Sequence, residues 1–401
     1  MADDTDATQQ HRETIFDRTL SSVDRRSFLL SVAGSGYALG LASALGIKDV
    51  LGQSNGRVSV VTALVRSDPS DPGSLETRTT SVPAGWYAAV SKAFELHERI
   101  ADATLPGYLG SSVEPGSLRD GTATISINVS SEDAGRIPGT LWELLTSIDV
   151  DWQGQLDNVA VSVDGVGGVG ALEAETRRHG EPRTVERLDV DPVPGGVRCE
   201  TEDSTATLAP AMYHLDDERP RFATAEHAFV GDDAQDGASL YLVDEQGDLA
   251  KLGRVSEAHP VEDVAIVSPN GRFRPGSLIS GGTADRIGGQ YTRWGLAVLA
   301  ARNESLEKVG SVSGRTTGEL VGIDAITCVA DNYCRRGQLK WGEESDMTDG
   351  DSGSVSYHPD PDGVDGALVA SLNNARTWWP GQNYVWGTAA YQVTERTGYH
   401  F

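Results

Sequence analysis

The sequence predicts a mainly β protein in which a small α+β stretch precedes a larger array of short strands, and three observations carry that expectation. From Gly195 onward, short β-type runs alternate with Gly, Asp, Asn and Pro turns and few stretches have helical period, the pattern of a sandwich or barrel. Before that point strand-like and helix-like periods are mixed. Between the two, residues 183–194 lead into Val193-Pro194-Gly195-Gly196, which reads as a linker. The chain of 401 residues thus divides into residues 1–50, 51–190 and 191–401.

The first 50 residues look like an address. Asp24-Arg25-Arg26-Ser27-Phe28-Leu29-Leu30 resembles a twin-arginine export signal, with the arginine pair directly before a mildly apolar run reaching Gly46. That run is less hydrophobic than a membrane span normally is. Ala42-Ser43-Ala44 supplies a small-x-small cleavage pattern, so Ala44 is the expected last residue of the signal; the other reading of this run is a short anchoring helix. Nothing later is long and apolar enough to span a bilayer. The expected location is secreted or cell-surface, with membrane contact only during export.

Residues 57–66 alternate around Val58, Val60 and Val61, which predicts a strand. Trp86, Val90, Phe94, His97 and Ile100 recur at helical spacing after Pro83, placing His97 on or near the buried edge of an amphipathic helix. Residues 122–129 alternate again. Leu141, Leu144, Leu145 and Ile148 suggest a second helix after Pro138, and Val159, Val161 and Val163 a third strand.

The chemistry is carried by the last part. Gly350-Asp351-Ser352-Gly353-Ser354 presents a glycine-flanked serine, and Thr224-Ala225-Glu226-His227 a histidine. In Val261-Glu262-Asp263-Val264-Ala265-Ile266-Val267 an aspartate opens an apolar run. A serine hydroxyl attacks an amide at neutral pH only when a base takes its proton and a third group orients that base. Gly-Asp-Ser-Gly alone is equally a turn in a glycine- and aspartate-rich chain, and a lone histidine beside Phe222 and Phe229 is more often structural. Their joint occurrence, in the order His227, Asp263, Ser352, favours a nucleophile with its partners. His259 is a rival base without the Thr-Ala-x-His context.

On these motifs the chain resembles the chymotrypsin-like (trypsin-like) serine proteases. Phe222-Ala223-Thr224-Ala225-Glu226-His227 is similar to their histidine segment, and residues 350–354 to their Gly-Asp-Ser-Gly-Gly. Ser313-Gly314-Arg315-Thr316-Thr317-Gly318 and Gly387-Thr388-Ala389-Ala390-Tyr391-Gln392-Val393 sharpen the likeness toward secreted microbial members such as streptogrisins and alpha-lytic protease. The resemblance covers about half the chain, from near Pro194 to Phe401. It implies a double β-barrel with a His227/Asp263/Ser352 triad in the cleft and a secreted endopeptidase working through an acyl-enzyme on Ser352. It also implies oxyanion donors at the Gly350 and Ser352 backbone, and substrate contacts at Ser371, Leu372, Asn373 and Gly387. Asp346, six residues before Ser352, stands where trypsin-like enzymes carry the carboxylate for basic P1 residues. Asp351 would be held by a cation; Arg315 is one candidate, and Val312 stands where some microbial members carry an arginine.

By the same resemblance, residues 51–190 are expected to be a prosegment, processed near residues 183–196; the alternative is an accessory domain that stays attached. Glu226 and Ser354 depart from the family pattern, and they support the rival function, an inactive protease-like binding or adhesion protein.

With 59 acidic against 33 basic residues the net charge is −26, spread along the chain. Such a field repels nucleic acid and anionic membranes, so neither is an expected partner; polypeptide substrates are what the protease resemblance implies, and a monomer is expected. Carboxylate-rich, lysine-poor surfaces also suit high salt, where the Debye length falls to about 3 Å at 1 M. Cys199, Cys328 and Cys334 are too few for a disulfide scaffold, though Cys328 and Cys334 could close a small loop after export while Cys199 stays unpaired. No Cys-x-x-Cys or His-Glu-x-x-His occurs, so neither a metal nor any other cofactor is expected.

Overall fold

The computed structural model describes residues 56–102, 105–130, 132–133, 158–166, 182–202, 204–217, 219–229, 237–283, 286–329, 333–361, 363, 366–376 and 383–401. The twin-arginine motif, the signal region and the helix expected near residues 141–148 lie outside them.

The fold is mainly β, and two rings of strands organise it. In the first, Pro220–Thr224, Val264–Pro269, Leu249–His259, Ser239–Val243, Arg198–Glu200 and Thr205–Thr207 pair in that order. The Ala209 N–H then reaches the Ala223 carbonyl at 2.9 Å and brings the last strand back to the first. In the second, Gly366–Arg376, Val355–Pro359, Ser305–Gly310, Gly314–Val329, Tyr333–Trp341 and Val385–Ala389 pair in turn, and the last closes on the first. Closure satisfies the strand edges that an open sheet would leave bare. The double-barrel expectation is met.

Of the expected N-terminal elements, the three strands and the first helix form, and the strands share the second barrel's sheet. Strand Arg57–Arg66 lies antiparallel to Arg286–Tyr291, which runs parallel to Gly366–Arg376. Strand Tyr108–Glu114 pairs with Gly314–Val329 and continues through Ala123–Ser130 to Val159–Val166. The sequence boundary near residue 190 therefore does not divide the core: Val58, Trp86, Phe94, Ile125 and Val159 belong to one apolar cluster with Trp294, Leu296, Ile323 and Tyr391.

Two helices make that junction. In α1 (Ala84–Asp102), Trp86, Ala89, Val90, Ala93, Phe94, Leu96, His97 and Ile100 are buried at the i, i+3, i+4 spacing of an amphipathic face. Helix α2 (Arg293–Ala301) starts at the N-cap Thr292, whose hydroxyl accepts from the Gly295 N–H. A Cβ at Gly295 would stand 1.9 Å from the Thr62 carbonyl oxygen, so only glycine lets α2 lie this close to the first strand. Trp294 stacks on Tyr87 at 4.6 Å and meets Trp86 and Phe94 edge-on. Buried Arg293 pairs with Asp324 and lies 3.9 Å from the Phe94 ring. A third helix, α3 (Ala390–Thr397), ends on the left-handed Gly398.

Because one apolar cluster joins the N-terminal elements to the second barrel, Trp294→Ala is expected to cost about 3–5 kcal/mol and to lower the denaturation midpoint of both together. Guanidinium unfolding followed by fluorescence and by far-UV circular dichroism checks this through coincident transitions.

Candidate active site

Three side chains named by the sequence come together between the barrels. The strand Pro220–Thr224 ends in a 3-10 turn, Glu226–Ala228, that carries His227. Asp263 is fully buried at the head of strand Val264–Pro269, with a left-handed backbone (φ 57°). Its Oδ1 accepts the His227 backbone N–H at 2.9 Å and its Oδ2 lies 2.7 Å from His227 Nδ1. On the other side of the ring, Nε2 is 3.0 Å from the Ser352 Oγ. Burial alone would raise the Asp263 carboxyl; the His227 hydrogen bonds and the Arg335 guanidinium outweigh it and hold the group below the usual carboxylate range. This is the geometry in which an imidazole can take a serine proton while an ionised carboxylate fixes its tautomer. His259 lies apart, beside Glu257 and the Tyr399 ring.

The serine loop is held from beneath. Gly350 and Gly353 have φ of 94° and 90°, and a Cβ at Gly353 would sit 2.2 Å from the Thr224 Oγ1, against the histidine strand. The N–H groups of Asp351, Gly353 and Ser354 are spent on the carbonyls of Thr348, Asn373 and Asp351. Those of Gly350 and Ser352 have no internal acceptor among the described residues. The Gly350 carbonyl accepts from Thr207 and Ser311, and the Ser352 carbonyl from the Thr207 N–H. Two N–H groups without an internal acceptor, on a pinned loop, are what a developing oxyanion requires.

Asp351 anchors the loop through a cation that the sequence reading missed. Its Oδ2 lies 2.9 Å from Lys308 Nζ, both side chains being wholly buried, and its Oδ1 accepts the Val312 and Ser313 N–H groups. Burial pushes the Asp351 carboxyl up, but Lys308 and the Ser313 hydrogen bonds hold it below its ordinary range. Arg315 instead pairs with Glu307.

The strand expected to pair with substrate is enclosed. Ser371, Leu372, Asn373 and Gly387 are buried, and strand Gly366–Arg376 is flanked by Val355–Pro359 and Val385–Ala389. Asn373 uses its N–H on Ser354 and its carbonyl on Gly353, so it has no backbone group left for a substrate. Within this strand only Gly366, Ala375 and Arg376 are half-buried. Asp346 caps its own turn, its carboxylate accepting the Glu343 N–H at 2.8 Å in a reciprocal capping box. It stands in the wall of a cavity of about 630 Å³ with Glu319, Glu343 and Tyr384. Cys328 and Cys334 are joined in a disulfide, while Cys199 is buried with its thiol pushed up to about 12 by desolvation and is inert as a nucleophile. No group of residues suited to a metal ion occurs among the described residues.

No protein-family model and no curated protein matches this sequence. Among solved structures, the chain is similar to a glutamic-acid-specific serine protease (16% identity, 52% of this chain and 99% of that one, TM-score 0.38). It is similar also to Thermobifida fusca Protease A (15%, 52% and 97%, TM-score 0.38) and to Nocardiopsis protease (14%, 52% and 97%, TM-score 0.37). The two-barrel topology stands on the strand pairing above, independently of these likenesses.

Lys308→Met would strand a buried carboxylate, with an expected cost of about 3–5 kcal/mol and a fall in reaction rate at Ser352 of roughly 100-fold or more. Lys308→Met combined with Asp351→Asn should regain stability without regaining rate. Because the folded Asp351 pKa is depressed, its contribution is present above about pH 4 and is lost as pH falls through the folded value. Acid titrations of wild type and the double variant, followed by thermal melts, check the sign: the double variant should lose less.

Proposed function

We propose that this protein is a cofactor-independent serine endopeptidase that forms an acyl-enzyme on Ser352. The observation that carries the reading is the unbroken hydrogen-bonded run from Asp263 through His227 to Ser352, beside a loop with two unspent N–H groups. His227 takes the hydroxyl proton as Ser352 attacks the scissile carbonyl and returns it to the leaving amine; water then repeats the sequence to release the acyl group. Asp263 stays ionised and stabilises the transient imidazolium. The Gly350 and Ser352 N–H groups receive the oxyanion, each such donor being worth about 2.7–4 kcal/mol in the barrier. Export by a twin-arginine route is part of the same proposal, motivated by Arg25 and Arg26 before the apolar run; replacing the pair with lysines should leave the protein inside the cell.

Ser354, one support for an inactive scaffold, is buried, and its hydroxyl accepts from the Asn373 amide, so it replaces the usual glycine as a packed hydroxyl outside the cleft. The shared core also favours an N-terminal half that stays with the barrels over one that is discarded. Co-elution of both halves under native conditions, whether or not the linker is cut, is the expected result; fully active barrels lacking residues 56–166 would refute it.

A fluorophosphonate probe applied in high salt should label the wild type, fail on Ser352→Ala and react at least about 100-fold more slowly with His227→Ala. Absence of labelling in folded wild type would overturn the enzymatic reading.

A further inference from the structure

The base in this site has two charged neighbours that the mechanism above leaves unused. Arg335 Nη1 lies 2.7 Å from Asp263 Oδ2, the oxygen that also faces His227 Nδ1, and the arginine side chain is only 14% exposed. Arg335 directly follows Cys334, whose disulfide with Cys328 closes the end of this hairpin, and it stands opposite buried Thr327. It is therefore fixed in place from the second barrel, while Asp263 belongs to the first. Glu226, on the 3-10 turn beside His227, donates its backbone N–H to the Asp263 carbonyl. Its half-buried carboxylate interacts electrostatically with Asp263, His227 and Arg335.

Each charge alone would disturb the base. A fixed cation on the orienting carboxylate cancels much of the field that stabilises an imidazolium, and slows proton uptake from the serine. A second carboxylate beside the ring without that cation would hold the imidazolium too well and leave less free base near neutrality. Taken with Asp263, these two leave one net negative charge among the three groups, as a single aspartate would.

We propose that Glu226 and Arg335 form a compensating charge couple around the His227–Asp263 pair: Arg335 is a positioning residue that fixes Asp263 and neutralises it, and Glu226 restores the negative charge that proton transfer needs. The inference rests on the proposed nucleophilic role of Ser352. The groups that take part are Glu226 from the turn, Asp263 from the head of its strand and Arg335 from the hairpin. Desolvation, and then Asp263, raise the Glu226 carboxyl above its ordinary range, against the opposing pull of His227 and Arg335. The couple therefore begins to come apart at a higher pH than an ordinary surface glutamate would allow.

The test is the pH dependence of the second-order rate at which a fluorophosphonate labels Ser352 in the full chain. Arg335→Gln should move the acid limb upward by roughly half to one pH unit, and Glu226→Gln should move it downward by a similar amount. The double variant should return close to the wild-type limb, and Arg335→Lys should resemble wild type because the charge is kept. In about 1 M salt, where screening acts within about 3 Å, the Glu226→Gln shift should shrink while the shift from buried Arg335 persists. Limbs that coincide in all variants while plateau rates fall would mean a structural role only and would overturn the couple. Shifts in one direction for both single variants would do the same. Should Arg335→Gln fail to fold, Glu226→Gln and Arg335→Lys still decide: a downward limb in the first and an unchanged limb in the second uphold it. An unlabelled folded wild type overturns both this inference and the nucleophile reading; a labelled wild type with unmoved limbs overturns this inference alone.

Discussion

Everything at the cleft depends on one buried carboxylate. Asp263 leaves the first barrel on a left-handed residue that places its side chain beneath His227, and its two oxygens accept from the His227 backbone, the His227 ring and Arg335 of the second barrel. A buried anion without such partners would cost several kcal/mol and would protonate instead. The interaction that orients the base is thus also one that ties the barrels together. A shift of one barrel against the other would break a charge-assisted bond that is stronger in the dry interior than at the surface.

The second constraint is the Lys308–Asp351 pair. It sets the conformation of the serine loop as Asp263 sets that of the histidine, and it too is fully enclosed. Buried pairs are poor sources of net stability, since desolvation consumes most of the Coulomb gain. What this one contributes is position: four groups converge on one carboxylate, namely Lys308 Nζ and the N–H groups of Thr348, Val312 and Ser313. Three of them come from residues 308–313 and the fourth from Thr348, beside the loop itself, so two segments of the chain hold the loop.

The sequence made the site legible where the chemistry is local and obscured it where it depends on register. His227, Asp263 and Ser352 each sit in a short context whose neighbours require those residue types, and the structure brings all three together. The enclosure of residues 371–373 was not legible, because likeness to a motif does not show which strand edge is already paired; the two backbone bonds of Asn373, with Ser354 and Gly353, depend on register. Lys308 and Arg335 escaped notice because their partners are 43 and 72 residues away in sequence, and no local pattern marks a cation that pairs across a barrel. The first helix and the strands at residues 57–66, 123–130 and 159–166 were readable from periodicity, whereas their merger with the second barrel depends on close approaches such as Gly295 against Thr62.

The acidic surface and the charged site obey different physics, and salt separates them. A net charge of −26 repels itself in dilute solution, and counter-ions screen that repulsion as ionic strength rises. Asp263 and Asp351 keep their attractions, because their partners are within hydrogen-bond distance and solvent is excluded. Raising salt therefore relieves the surface while leaving the two organising pairs nearly intact. Glu226 lies between these regimes, half-buried at the edge of the cleft. On the role proposed for it, Glu226 is a charge through which the surrounding solvent can still act on His227.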